Sequence, residues 1–257
     1  MKANLQIVQD ANALARDGAR IVVAQSESSI AARGVFNIAL SGGSTPKRLY
    51  ELLADPNEEF RSKISWDKTQ FFWTDERHVG PEDPDSNFRM TNEAMLKVVP
   101  VPSANVHRFM TENPNAEAVA EEYETQLRQS FQNSLPRFDL VLLGLGPDGH
   151  TASLFPHTTA LVENERLVSA PWVEKFNSFR LTMTLPVLNN SRMIVFLVSG
   201  EDKEKILSAV LEGPPAQFPA QAIQPANGEL LWLVDKPAAA ELVNKTTRQT
   251  PPPPAVL

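Results

Sequence analysis

Three short segments of this chain carry residue types whose spacing can do chemistry. Gly144-Leu145-Gly146-Pro147-Asp148-Gly149-His150 sets three glycines and a proline around a carboxylate and an imidazole. A histidine titrates near pH ~6.5 and so carries protons at neutral pH, and a neighbouring carboxylate can fix its tautomer. Ser41-Gly42-Gly43-Ser44-Thr45-Pro46 has two glycines that let a ligand approach the backbone. Ser44 or Thr45 can cap a following helix and Pro46 suits its first turn, a setting that offers free amides and a positive dipole end to a phosphate. Trp73-Thr74-Asp75-Glu76-Arg77-His78 places four ionisable residues in a row after an apolar run. Arg77 can fork onto a phosphate, and Asp75 can serve as a base or organise the arginine. Each segment also has a plain reading: an ordinary strand–helix turn, a stretch where the chain surfaces, or a structural histidine.

Other chemistries find less to work with. Residues 144–149 formally satisfy G-x-G-x-x-G, but the position about 20 residues on, where a dinucleotide site needs an acid, reads Val168-Ser169-Ala170-Pro171. His150 and His157 stand seven apart, with neither H-E-x-x-H nor an acidic ligand frame, so no metal is expected. No serine sits in a G-x-S-x-G elbow, and His107, in the short run 106–109 that reads as a strand, reads as structural.

The elements that must position these residues follow from periodicity. Apolar runs at 35–40, 70–73, 138–143, 193–198 and 230–234 read as buried strands. Leu14, Gly18, Ile21 and Val22, then Ala118, Tyr123, Leu127 and Phe131, repeat at helical spacing, and 203–211 reads as a helix with Ile206, Leu207 and Val210 on one face. Alternating strands and helices imply a single doubly wound, mainly parallel α/β sheet with helices on both faces. In such sheets ligands bind beyond the carboxyl ends of the strands, where all three segments fall. The Pro-rich stretch 213–228 leads back into a core-like strand, so it is an internal loop. Residues 1–246 are therefore expected to form one domain, and 247–257, with Pro251 to Pro254, a polyproline II tail.

The 257 residues carry 24 Lys plus Arg against 31 Asp plus Glu, a formal charge of −7. That balance disfavours a nucleic-acid partner, and any anion must be met locally. Without cysteine there is no disulfide, thiolate nucleophile or zinc–sulfur site. The N-terminus lacks the apolar core of a signal peptide, and no run reaches the ~18 apolar residues of a membrane span, so a cytoplasmic protein without a membrane partner is expected. Nothing in the residues sets an oligomeric state.

Taken together, the three segments resemble those of the 6-phosphogluconolactonases, as do Arg180-Leu181-Thr182-Met183-Thr184-Leu185-Pro186, Gly200-Glu201-Asp202-Lys203 and Trp232-Leu233-Val234-Asp235. The resemblance spans about residues 5 to 240. The related glucosamine-6-phosphate deaminases share the glycine turn and the G-x-G-x-D-G-H segment but carry Met-Asp-Glu-Tyr where this chain has Thr74-Asp75-Glu76-Arg77. The resemblance implies hydrolysis of a sugar-phosphate lactone without a cofactor. His150 would be the general acid/base and Asp148 would orient it. The phosphate would lie between Gly42, Gly43, Ser44 and Thr45 and the cations Arg77, Arg180 and Lys203, with Asp75 as a further polar contact. An amino-sugar-phosphate isomerase or deaminase, or a sugar-phosphate-binding module, is the alternative.

Overall fold

Consecutive strand residues point to opposite faces, so a run apolar at every position needs cover on both sides. The chain meets that need with a sheet layered by helices. The computed structural model describes residues 4–244, so the proline-rich tail 247–257 lies outside the described residues. The first part runs β1 (Asn4–Val8), α1 (Ala11–Arg33), β2 (Phe36–Leu40), α2 (Ser44–Ala54), α3 (Glu59–Lys63), β3 (Thr69–Trp73), β4 (Asp75–Arg77) and α4 (Asn87–Ala94). The middle contains β5 (Val106–His107), α5 (Ala116–Ser130), β6 (Leu140–Leu143), β7 (Val168–Ser169), β8 (Trp172–Val173) and β9 (Ser178–Met183). The last part contains α6 (Leu185–Asn189), β10 (Met193–Val198), α7 (Glu204–Glu212) and β11 (Glu229–Asp235).

Seven strands form one sheet in the order β1-β11-β10-β6-β2-β3-β5, and every pairing in it is parallel. All five apolar runs lie in this sheet, and all four residues of β6 are buried, as cover on both faces demands. From β2 the chain builds outward through β3 to β5; it then returns to β6 on the other side of β2 and builds away through β10 and β11. The sheet therefore reverses direction between β2 and β6, and the carboxyl ends of those strands open a crevice. A second, antiparallel sheet joins β4, β9 and β7, with β8 also paired to β9. β4, β7 and β8 have only two or three residues, too few for periodicity to announce them, and the sheet is an addition to the expected architecture.

Two buried tyrosines pin the backbone where the central strands end. The Tyr50 hydroxyl donates to Ser41 O at 2.9 Å and accepts from Ser41 N at 3.1 Å. Tyr123 does the same for Trp73, donating to its carbonyl at 3.1 Å and accepting from its amide at 2.9 Å. Each hydroxyl thereby satisfies a buried amide and carbonyl that a strand end would leave unpaired. Among the described residues no helix is long and apolar enough to cross a membrane.

Candidate functional site

The carboxyl ends of β2, β3 and β6, together with β9 and the start of the turn before α7, enclose a cleft of about 640 Å³. Its walls include Gly42, Gly43, Asp75, Arg77, His150, Arg180 and Lys203. Segments far apart in sequence thus converge at the point where the sheet reverses.

The turn after β6 carries His150 and Asp148. His150 Nδ1 bonds to Asp148 Oδ1, and the His150 amide donates to the same oxygen at 3.3 Å. Burial alone would raise the Asp148 carboxyl, but the bond to His150, the imidazole's charge and Lys175 outweigh it and hold the group below its usual range. An ionised Asp148 accepts the Nδ1 proton and leaves Nε2 as the basic nitrogen. Glycine is required at 146 because a Cβ there would lie 2.0 Å from the imidazole's Cε1 and Nδ1. The Gly146 amide donates to His150 O at 2.9 Å, closing the turn, and is therefore engaged within it. The Phe155 ring, 4.1 Å from the imidazole between centroids, walls off one side of it.

Across the cleft two arginines face each other. Arg77 of β4 is in register with Arg180 of β9. Like charges directly opposite on paired strands are destabilising unless an anion bridges them. Burial, then the charge of Arg77, holds the Arg180 guanidinium below the usual arginine range. Arg77 is steadied by a bond from Nη1 to Asp85 O at 2.5 Å. Arg180 lies 4.8 Å over the Phe176 ring and donates to Ser178 Oγ at 3.2 Å. Lys203, ion-paired with Asp202 at 3.1 Å, lines the same cleft from just before α7.

The glycine turn departs from expectation in one respect. The N-cap of α2 is Gly43, at φ 106°, so neither Ser44 nor Thr45 caps the helix. Asp10 caps α1 and Ser86 caps α4, but α2 begins with no side-chain cap, which leaves its first amides open to a ligand. Gly42 and Gly43 line the cleft, whereas Ser44 and Thr45 are not among its lining residues. Asp148 stands behind His150 and is likewise outside the lining.

Asp75 is buried, with Oδ2 accepting from Ser153 Oγ at 2.7 Å and Oδ1 from Thr74 Oγ1 at 3.2 Å. Its neighbour Glu76 turns the other way. It accepts from the amides of Arg77, Asn87 and Phe88 at 2.7–2.8 Å and from Ser86 Oγ, and so tethers the start of α4. Burial pushes Glu76 up to about 7, against those amide bonds and with Asp75 adding to the rise. Sequence reasoning gave no site role to Asn87, Ser153 or Phe176, all of which line the cleft. Asn87 Nδ2 holds Asp75 O at 2.9 Å, and a Cβ on Gly42 would meet Asn87 Oδ1 at 1.8 Å. Asn87 directly follows Ser86, the cap of α4, and only the meeting of two turns shows its use in the cleft. His107, stacked on Phe72 and bonded to Gln70 at 2.7 Å, is structural as expected.

Residues 9–232 match the family model described as glucosamine-6-phosphate isomerases/6-phosphogluconolactonase. A 6-phosphogluconolactonase of Synechocystis sp. is 46% identical over 226 residues, covering 86% of this chain and 90% of that protein. One from Nostoc sp. is 41% identical over 248 residues, covering 94% and 99%. The crystal structure of the Thermotoga maritima 6-phosphogluconolactonase superposes with a TM-score of 0.79 at 30% identity, covering 91% of this chain and all of that one.

Proposed function

This chain belongs to the glucosamine-6-phosphate isomerase/6-phosphogluconolactonase family, and from that premise we propose that it hydrolyses 6-phospho-D-glucono-1,5-lactone to 6-phospho-D-gluconate. One observation carries the reading: a carboxylate-oriented histidine and three cations share one cleft at the sheet's switch point. His150 Nε2 takes a proton from a water as its oxygen bonds to the lactone carbonyl carbon. The bond from that carbon to the ring oxygen then breaks, and the imidazolium returns the proton to the departing oxygen. Asp148 holds the ring and stabilises its charged form between the two transfers. General acid–base help of this kind is worth about 10²–10⁴ in rate, which suits an ester that already opens spontaneously.

The phosphate, remote from the carbonyl, lies between Arg77 and Arg180, near Lys203 and the open amides at the start of α2. Two guanidiniums and an ammonium exceed what one dianion needs, so binding at this end fixes the position of the reacting end. Asp75, held by Ser153 and Thr74, offers a carboxylate to the sugar hydroxyls. The cleft draws on residues from Ser41 to Lys203, which supports residues 1–246 as one domain; its substrate is a small molecule, and its proposed place is the cytoplasm.

The test compares freshly generated phosphorylated lactone with glucosamine 6-phosphate as parallel substrates, correcting for spontaneous opening. The reading expects lactone turnover and no ammonia release. Ammonia release from the amino sugar, with no lactone turnover, would replace it with a deaminase.

A further inference from the structure

The tip of the hairpin between β8 and β9 touches both ends of the cleft. Lys175 Nζ lies 3.4 Å from Asp148 Oδ2, the carboxylate oxygen turned away from His150. The next residue, Phe176, lines the cleft and carries the Arg180 guanidinium 4.8 Å over its ring. The same ring packs edge-to-face with Phe155, 5.6 Å between centroids, and Phe155 packs in turn on the His150 imidazole. Asn177, left-handed at φ 45°, closes the tip, with its amide bonded to Glu174 O at 3.0 Å. Lys175 therefore bears on the Asp148 carboxylate, while Phe176 bears directly on Arg180 and, through Phe155, on the imidazole; Lys175 Nζ also lies 5.5 Å over the Phe176 ring.

We propose that Lys175 and Phe176 are positioning residues for the hydrolysis: Lys175 sets the rotation of the Asp148 carboxylate, and Phe176 sets the aim of Arg180. The inference rests on the lactonase reading above. A carboxylate turns easily about its last bond, and a cation on Oδ2 leaves Oδ1 facing the imidazole. Arg180 Nη1 is engaged by Ser178 Oγ at 3.2 Å and Phe179 O at 3.3 Å, and stacking on the aromatic face leaves Nε and Nη2 for a phosphate, whereas a carboxylate bonded edge-on would take them. Both residues are about half exposed, so the hairpin tip tolerates substitution without loss of the core.

The two contacts act on different kinetic parameters. Lys175→Met lowers kcat about two- to fivefold on both the phosphorylated lactone and unphosphorylated D-glucono-1,5-lactone, the range expected for a screened ion pair, and Lys175→Arg restores it. Phe176→Leu keeps an apolar contact with Phe155 but removes the aromatic face. It raises KM for the phosphorylated lactone about two- to fivefold and for the unphosphorylated one by less, and Phe176→Tyr restores the wild-type value. Steady-state kinetics of the full chain and these four variants decide the matter. Absence of wild-type turnover overturns the lactonase reading and this inference with it. Wild-type turnover with Lys175→Met and Phe176→Leu unchanged, or with both shifting the same parameter equally on both substrates, overturns the inference alone.

Discussion

Replacement of Arg180 by Met separates what the arginine does for the ligand from what it does for the fold. Met keeps the apolar stem and removes the charge. With substrate absent, the bonds from Nη1 to Ser178 Oγ and Phe179 O, 3.2 and 3.3 Å long and near solvent, contribute little, and two larger effects oppose each other. Loss of the stacking on Phe176 costs about 0.5–1 kcal/mol. Relief of the repulsion from Arg77, its cross-strand partner, returns about 0.2–1 kcal/mol. The free variant should therefore melt within about 4 °C of the wild type, since 1 kcal/mol moves the midpoint of a protein this size by roughly 2–4 °C. With substrate present nothing offsets the loss. A charge-assisted hydrogen bond to the phosphate is worth about 1.5–3 kcal/mol, so KM for the phosphorylated lactone should rise about 10- to 150-fold. Unphosphorylated gluconolactone should be turned over by both proteins with similar KM. Calorimetry and initial rates on the two lactones make the comparison. Equal KM values for the phosphorylated lactone in variant and wild type, or an equal penalty on both lactones, would refute the anion clamp.

Two further outcomes follow from the geometry. Gly146→Ala puts a Cβ where the imidazole now lies, so it should cut kcat about 100-fold or more while circular dichroism shows the fold retained; wild-type kcat would mean that the ring has room to move. Glu76 sits near 7 when folded, above its ordinary 4.5, so it binds its proton more tightly in the folded state. Its contribution to stability is complete below about pH 4.5 and declines as pH rises through 7, by up to roughly 3 kcal/mol. Urea melts from pH 5 to 7.5 should show a shallower decline for Glu76→Gln than for the wild type, and parallel curves would contradict the assignment.

The parallel sheet was legible because its inner strands are apolar at nearly every position, a pattern that burial on both faces imposes. The edge strand β1 was not, since Asn4 and Gln6 alternate with Leu5 and Ile7 and all five of its residues are only half-buried. The antiparallel sheet was hidden for another reason: β7 and β8 have two residues each, and their pairing is set by where β9 lies in space. The site divides in the same way. Gly42, Asp75, Arg77, Asp148 and His150 announce themselves because costly residue types cluster at strand ends. Arg180 and Lys203 came only through family resemblance, because nothing local shows that two cations 23 residues apart share a wall with Arg77. Asn87 and Phe176 carry no signal of their own, and their placement depends on contacts between segments. Ser44 and Thr45 misled as caps because the glycine before them, at φ 106°, supplies the helix start without a side chain.

The central claim is that His150 moves the proton during lactone opening. His150→Asn keeps a polar side chain of similar reach beside Asp148 but removes the titrating nitrogen, so the decisive measurement is its kcat on freshly made 6-phosphogluconolactone, corrected for spontaneous hydrolysis. The account predicts a fall of about 10²–10⁴ with KM little changed. A variant that opens the lactone at the wild-type rate would contradict it.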